Sequence, residues 1–119
     1  MIVNLKVKNI RPKYYNIEEW IDDNSLNEYI GRKGVVFINS KRFPSINSIW
    51  HNPYKINDNL TRDQVIDKYE LYIRDKLESD SNLVKELLKL EGKNLGCWCK
   101  PSKCHGDIII KLIEEYKNK

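Results

Sequence analysis

The sequence has no alanine, two histidines and only three cysteines among its 119 residues. All three cysteines fall between positions 97 and 104. An odd, clustered set cannot make a self-contained disulfide framework, and it suits a reducing compartment. No apolar run approaches the roughly 20 residues that span a bilayer, so no membrane segment is expected. The opening Met1-Ile2-Val3-Asn4-Leu5-Lys6 lacks the basic region and long apolar stretch of a signal peptide, and a cytoplasmic location is the expectation. No Gly/Ser/Pro-rich linker, internal repeat or low-complexity tract divides the sequence, so one domain is expected over residues 1–119. Abundant Lys, Asn and Ile beside absent Ala reads as AT-rich coding bias, without bearing on fold. What is present, 40% hydrophobic and 32% charged residues, places the sequence with folded globular chains rather than disordered ones.

The net charge of +4 is unevenly spread. Residues 1–13 carry four positive charges and no negative one, and residues 14–30 carry five negative charges and no positive one. Residues 31–55 then carry Arg32, Lys33, Lys41, Arg42 and Lys55 with no acid among them. That segment is either a face that attracts phosphate or nucleic acid, or a solvated surface balanced by its acidic neighbour.

The hydrophobic pattern predicts a single α/β domain: a small, mostly parallel, Rossmann-like sheet with flanking helices and a hairpin excursion at 29–55. Val3, Leu5 and Val7 alternate with polar residues at the period of a strand. Asn16-Ile17-Glu18-Glu19 has the spacing of a capping box ahead of Trp20 and Ile21. Tyr29-Ile30 and Val35–Ile38 read as strands joined by a turn through Gly31 and Gly34, followed by a long ordered loop from Asn39 to Asn59. Thr61-Arg62-Asp63-Gln64 opens a helix near 62–78, and Ser79-Asp80-Ser81 supplies the cap of another near 81–91. Leu95 to Cys99 reads as a short buried strand, and a last helix is expected near 104–117.

Chemistry concentrates in Gly96-Cys97-Trp98-Cys99-Lys100-Pro101-Ser102-Lys103-Cys104-His105-Gly106-Asp107. On a strand Cys97 and Cys99 share a face, and the returning loop brings Cys104 and His105 to the first turn of a helix. Ligands of open α/β sheets lie beyond the carboxyl ends of strands, against helix N-termini. Three readings stay open. In the first, Cys97, Cys99 or Cys104 is a nucleophile activated by His105, with Asp107 orienting the imidazole or binding substrate. In the second, Cys97, Cys99, Cys104 and His105 hold zinc as a Cys₃His set. Consecutive residues at a helix start point about 100° apart, so a three-ligand site with His105 turned elsewhere is easier to build. In the third, the cysteines pack as small hydrophobes. Gly106, lacking Cβ, leaves backbone N–H groups open to an anion, and Lys100 and Lys103 favour the same ligand. Arg32 after Gly31 can direct a guanidinium at phosphate or carboxylate. Asn52 either starts a turn or contacts a ligand, and Trp50 and Trp98 either stack on a base or pack in the core.

Cys97-Trp98-Cys99-Lys100-Pro101-Ser102-Lys103-Cys104-His105-Gly106-Asp107 resembles the C-terminal signature of the family called domain of unknown function 4326. Tyr29-Ile30-Gly31-Arg32 and Ser48-Ile49-Trp50-His51-Asn52-Pro53-Tyr54-Lys55 are similar to two further segments of that family, in the same order. His51 and Tyr54 depart from the family's usual small residue and Phe. The likeness covers about residues 28–116 and carries no established reaction. It implies that Arg32, Asn52 and the Cys/His/Gly/Asp segment are shared polar elements. It also implies a protein of bacteria, phages, large DNA viruses or eukaryotes, in host cytoplasm or virion if viral. The expectation drawn from all this is a small enzyme, or a domain derived from one, binding a phosphorylated ligand such as a nucleotide where Arg32, Asn52 and segment 97–107 meet. A zinc-stabilised nucleic-acid-binding module and an accessory viral protein are the alternatives.

Overall fold

The computed structural model describes residues 1–98 and 102–119. Among these, β1 (Ile2–Asn4), α1 (Val7–Ile10), α2 (Ile17–Asp23), β2 (Asn27–Tyr29), β3 (Val36–Ile38), β4 (Lys41–Phe43), α3 (Arg62–Ser79), α4 (Ser81–Leu88), β5 (Asn94–Cys97) and α5 (His105–Lys117) follow in chain order. The central sheet has the order β1-β5-β2, and β5 runs parallel to both neighbours. A separate antiparallel hairpin pairs β3 with β4. The mixed α/β class with a parallel sheet and a hairpin is thus present. The helices fall at 62–79, 81–88 and 105–117.

Alternation along β5 divides the core. Leu95 and Cys97 face the layer of α3, α4 and α5, with Ile66, Tyr69, Ile73, Leu87, Ile109 and Leu112. Gly96 faces the other way, where an added Cβ would come within 2.8 Å of the Trp20 ring and 2.6 Å of Leu5. The missing side chain lets α2 bring Trp20 close against the sheet, in the second cluster with Leu5, Ile10, Ile17 and Tyr29. Both layers are apolar stripes at helical spacing, and burial of each large side chain is worth roughly 2 kcal/mol.

The caps explain where the long helices begin. Thr61 and Gln64 satisfy each other's backbone N–H groups at the start of α3. The Asp80 carboxylate accepts from Asn82 and Leu83 and opens α4. Asn16 accepts from Glu19 at the start of α2. Each removes donors that would otherwise be orphaned at a helix N-terminus.

Two expectations need correcting. The Val3-Leu5-Val7 alternation does not continue as a strand: the Asn4 side chain accepts from the Lys6 N–H, and the chain turns into α1. Nor does Tyr29-Ile30 pair with Val35–Ile38. Tyr29 lies opposite Gly96 in the central sheet, and the hairpin turns at Asn39-Ser40, both at positive φ (52° and 65°). Two consecutive left-handed residues match the twist of a tight hairpin, and Lys41–Phe43 forms its second arm.

Candidate functional site: a cationic cleft over Cys97 and His105

Because β2 and β5 are parallel neighbours, their carboxyl ends open on the same side of the sheet. There the chain forms a cleft of about 430 Å³. Arg32, Asn52, Cys97 and His105 all line it, with Trp98, Tyr54, Lys55 and Arg62. Such a position, beyond strand ends, is where open α/β sheets hold ligands, and the size falls in the range of small-molecule sites.

Arg32 is held from both ends. Its Nε donates to the Asn52 carbonyl at 2.8 Å and an Nη to the Tyr54 carbonyl at 2.7 Å. Its own carbonyl accepts from the Tyr29 hydroxyl at 2.7 Å, which in turn accepts from Trp98 Nε1 at 3.0 Å. Burial pushes the Tyr29 phenol up from its usual value, opposed by the Trp98 N–H and the Arg32 charge. The hydroxyl therefore stays protonated and keeps donating. Asn52, buried beside Arg32, accepts from the Tyr54 N–H through its side-chain oxygen and donates its amide to the Val65 carbonyl. Its side chain fixes the loop that carries the Arg32 acceptors.

His105 sits at the first position of α5 and on the cleft floor. Its Nε2 lies 2.7 Å from the Ile30 carbonyl. A carbonyl only accepts, so Nε2 carries the proton, and in the neutral ring Nδ1 presents its lone pair. Nδ1 is 3.7 Å from Cys104 Sγ, which is 3.0 Å from Cys97 Sγ. The Tyr69 ring meets the imidazole edge-on at 5.0 Å. Cys104 is fully buried and does not line the cleft; its sulfur caps α5 by accepting from Gly106 N–H at 3.4 Å. Of the two described cysteines, Cys97 is the one that reaches the cleft wall.

Several sequence-derived roles shift. Gly106 does not open the helix start to an anion: a Cβ there would meet Ile2 at 2.5 Å and Ile30 at 3.1 Å. Its smallness seats α5 against the sheet, on the side away from the cleft lining. Asp107 accepts from the Cys104 N–H at 3.1 Å and closes a capping box. That satisfies the orphan donors an anion would have used. Trp50 is in the main core, and its carbonyl accepts from the Tyr69 hydroxyl at 2.8 Å. It does not line this cleft. Lys103 pairs with Asp63 at 3.6 Å. Cys99 and Lys100 lie outside the described residues. Among the described residues no three His, Cys, Asp or Glu side chains are grouped to hold a metal ion.

Sequence reasoning missed Arg62 as a site residue. It is the first residue of α3, its Nη1 donates to the Lys103 carbonyl at 3.2 Å, and it lines the cleft together with Lys55. Its place just inside a capping box, after a long loop, was the available signal. No carboxylate lines the cleft among the described residues, and none of Arg32, Lys55 and Arg62 has an ion-pair partner there.

The sequence profile of the family Domain of unknown function (DUF4326) matches residues 16–115. The chain belongs to DUF4326. An uncharacterised protein of Acanthamoeba polyphaga mimivirus is 33% identical over 99 residues, covering 74% of this chain and 69% of that protein. An uncharacterised 12.4 kDa protein from the nrdA-td intergenic region of Enterobacteria phage T4 is 33% identical over 66 residues, covering 56% of this chain and 60% of its own length. This DUF4326 chain thus has viral relatives. No solved structure matches it. No helix among the described residues is long and apolar enough to cross a membrane.

Proposed function

We propose that this DUF4326 chain is an enzyme, or a domain derived from one, that binds a phosphorylated ligand such as a nucleotide in the cleft above Cys97 and His105. The observation that carries this reading is that Arg32, Lys55 and Arg62 line one cleft in which, among the described residues, no carboxylate neutralises them. Guanidinium groups hold phosphate oxygens bidentately, and carbonyl contacts pre-orient Arg32 and Arg62 at no cost to their charge. The apolar walls, Val35, Ile56, Val65 and Ile66, suit the less polar part of the same ligand. The parallel β1-β5-β2 sheet, with helices in each crossover, supports the Rossmann-like reading in which phosphate sits beyond the strand ends.

The chemistry assigned to the floor uses the pair that the geometry joins. A Cys104 thiol proton passes to His105 Nδ1, giving a thiolate at the helix N-terminus and an imidazolium. The Gly106 N–H stabilises the thiolate, and the Ile30 carbonyl stabilises the imidazolium. Cys97, in contact with Cys104 and facing the cleft, then passes its own proton to the Cys104 sulfur and becomes the thiolate placed to reach a ligand.

Isothermal titration of ATP, AMP and inorganic phosphate against the protein and Arg62→Glu tests the reading. Binding of at least one, weakened about tenfold or more by Arg62→Glu, is the expected result. Equal affinity for both proteins, or no heat from any phosphate compound, overturns it.

A further inference from the structure

A second depression of about 580 Å³ lies against the first, and Trp98 lines both. Its other walls come from the chain entering α2 and from the β3–β4 hairpin, and they include Lys6, Arg11, Tyr15 and Phe37. The two rings are the observation that needs explaining. Tyr15 is 65% and Phe37 66% exposed, although neither is at a chain terminus. Each has a guanidinium against one face: Arg11 lies 4.1 Å from the Tyr15 ring centre and Arg42 lies 4.6 Å from that of Phe37. A ring backed by a cation on one side keeps its other side for a second planar group.

The charged side chains that line the groove, Lys6 and Arg11, have one sign. No carboxylate lines it among the described residues, and none of Lys6, Arg11 and Arg42 has an ion-pair partner there. The nearest acid of α2, Glu19, is outside the lining and accepts from the Tyr15 backbone N–H, while Asp23 accepts from the Tyr14 hydroxyl. Exposed flat rings set among unneutralised cations are the two parts of a surface that holds unpaired bases and their phosphates.

We infer that this groove binds single-stranded nucleic acid, with bases stacked on Tyr15 and Phe37 and phosphates on Lys6, Arg11 and Arg42. Through Trp98 the strand continues into the cationic cleft, so that the phosphorylated ligand of that cleft is the phosphate-bearing end of a polynucleotide. This last step rests on the phosphate reading of the cleft, whereas the groove stands on its own residues. A duplex hides the base faces that the rings would meet, and an acidic peptide has none, so neither fits both parts of the surface.

The test is fluorescence anisotropy with a 3′-labelled dodecathymidylate, with and without a 5′-phosphate, run alongside calorimetric titration of inorganic phosphate. The proteins compared are the wild type, Tyr15→Ala, Phe37→Ser and Arg62→Glu. The first two substitutions are at exposed positions and leave the core untouched. The inference expects low-salt binding that each ring substitution weakens at least about fivefold, the effect of losing one stacked base. It also expects affinity to fall linearly with rising salt on a log–log plot, and the 5′-phosphate to add affinity that Arg62→Glu removes. If phosphate binds the cleft but ring substitutions leave oligonucleotide affinity unchanged, the groove is overturned and the cleft reading survives. If the rings matter while neither the 5′-phosphate nor Arg62→Glu does, the groove survives and the cleft reading fails. Equal binding of a duplex, or equal displacement by polyglutamate, also overturns the groove, because stacking then contributes nothing.

Discussion

The Nε2 of His105 lies 2.7 Å from the carbonyl oxygen of Ile30, a residue 75 positions earlier in the chain. This bond ties the first turn of α5 to the end of β2 and sets the tautomer of the imidazole in the cleft lining. A long-range ¹⁵N–¹H correlation spectrum of the neutral protein should show the proton of His105 on Nε2. The opposite tautomer would remove the basis for proton transfer from Cys104. Replacing His105 with Ala leaves the buried Ile30 carbonyl unpaired and should lower unfolding free energy by about 1–3 kcal/mol in denaturant titrations.

Gly106 admits two explanations, an anion contact or a packing contact. An added methyl meets Ile2 and Ile30, so Gly106→Ala should overpack the contact between α5 and the sheet and cost roughly 1–3 kcal/mol. Phosphate affinity of the folded fraction should be unchanged. Lost affinity at undiminished stability would restore Gly106 as an anion contact.

Tyr69 has its phenol pushed well above its usual range by burial, and its hydroxyl donates to the Trp50 carbonyl at 2.8 Å. Tyr69→Phe keeps the ring against His105 and removes only this bond. It should destabilise by about 1–2 kcal/mol with the fold intact. It should also loosen the loop that carries Asn52, which faster amide exchange at residues 50–54 would report. Unaltered exchange there would mean that the Arg32 and Asn52 side-chain bonds hold the loop without Tyr69.

Arg74 bridges α3 and α5 through Glu115 and also pairs with Glu70. Its guanidinium bonds hold both carboxyls below their usual value of 4.5. Depressed folded-state values mean that this stabilisation is present above about pH 5 and is lost as pH falls through the lowered values. Acid titration of unfolding free energy should therefore slope less in Arg74→Ala than in the wild type between about pH 5 and 3. Identical slopes would show that the network contributes nothing measurable. The groups are partly exposed, so the effect should shrink in high salt.

The helices that announce themselves locally were legible in the sequence. Thr61 with Gln64, Asp80 and Asn16 each mark a start that the structure shares. The short strands were harder, because three residues carry little periodicity. Tyr29-Ile30 and Val36–Ile38 are both β-rich, and only pairing decides that the first joins β5 and the second turns back on itself. The convergence of Arg32, Asn52, Cys97 and His105 was expected from placing a ligand beyond the end of β5 together with the family resemblance, which implied Arg32 and Asn52 as shared polar elements. Arg62 escaped because the capping box marks it only as a helix start, while its place in the cleft depends on the Lys103 carbonyl, 41 residues away. The sequence alone leaves Gly106 open as an anion contact and Asp107 as an imidazole-orienting or substrate-binding group, because a Gly and an Asp just after a helix cap serve a site or the cap equally well. Ile2, which decides the matter for Gly106, arrives from the other end of the chain.

Strand β5 has a consequence for how the protein comes into being. β1 and β2 never touch through backbone hydrogen bonds; each pairs only with β5. A nascent chain that has not yet emerged beyond residue 94 therefore has two strands with nothing between them and an incomplete sheet. The same stretch that inserts between them brings Cys97 and then His105. Sheet closure and assembly of the cleft floor therefore wait on the same stretch, and a partly made chain carries the basic hairpin without the chemistry it borders.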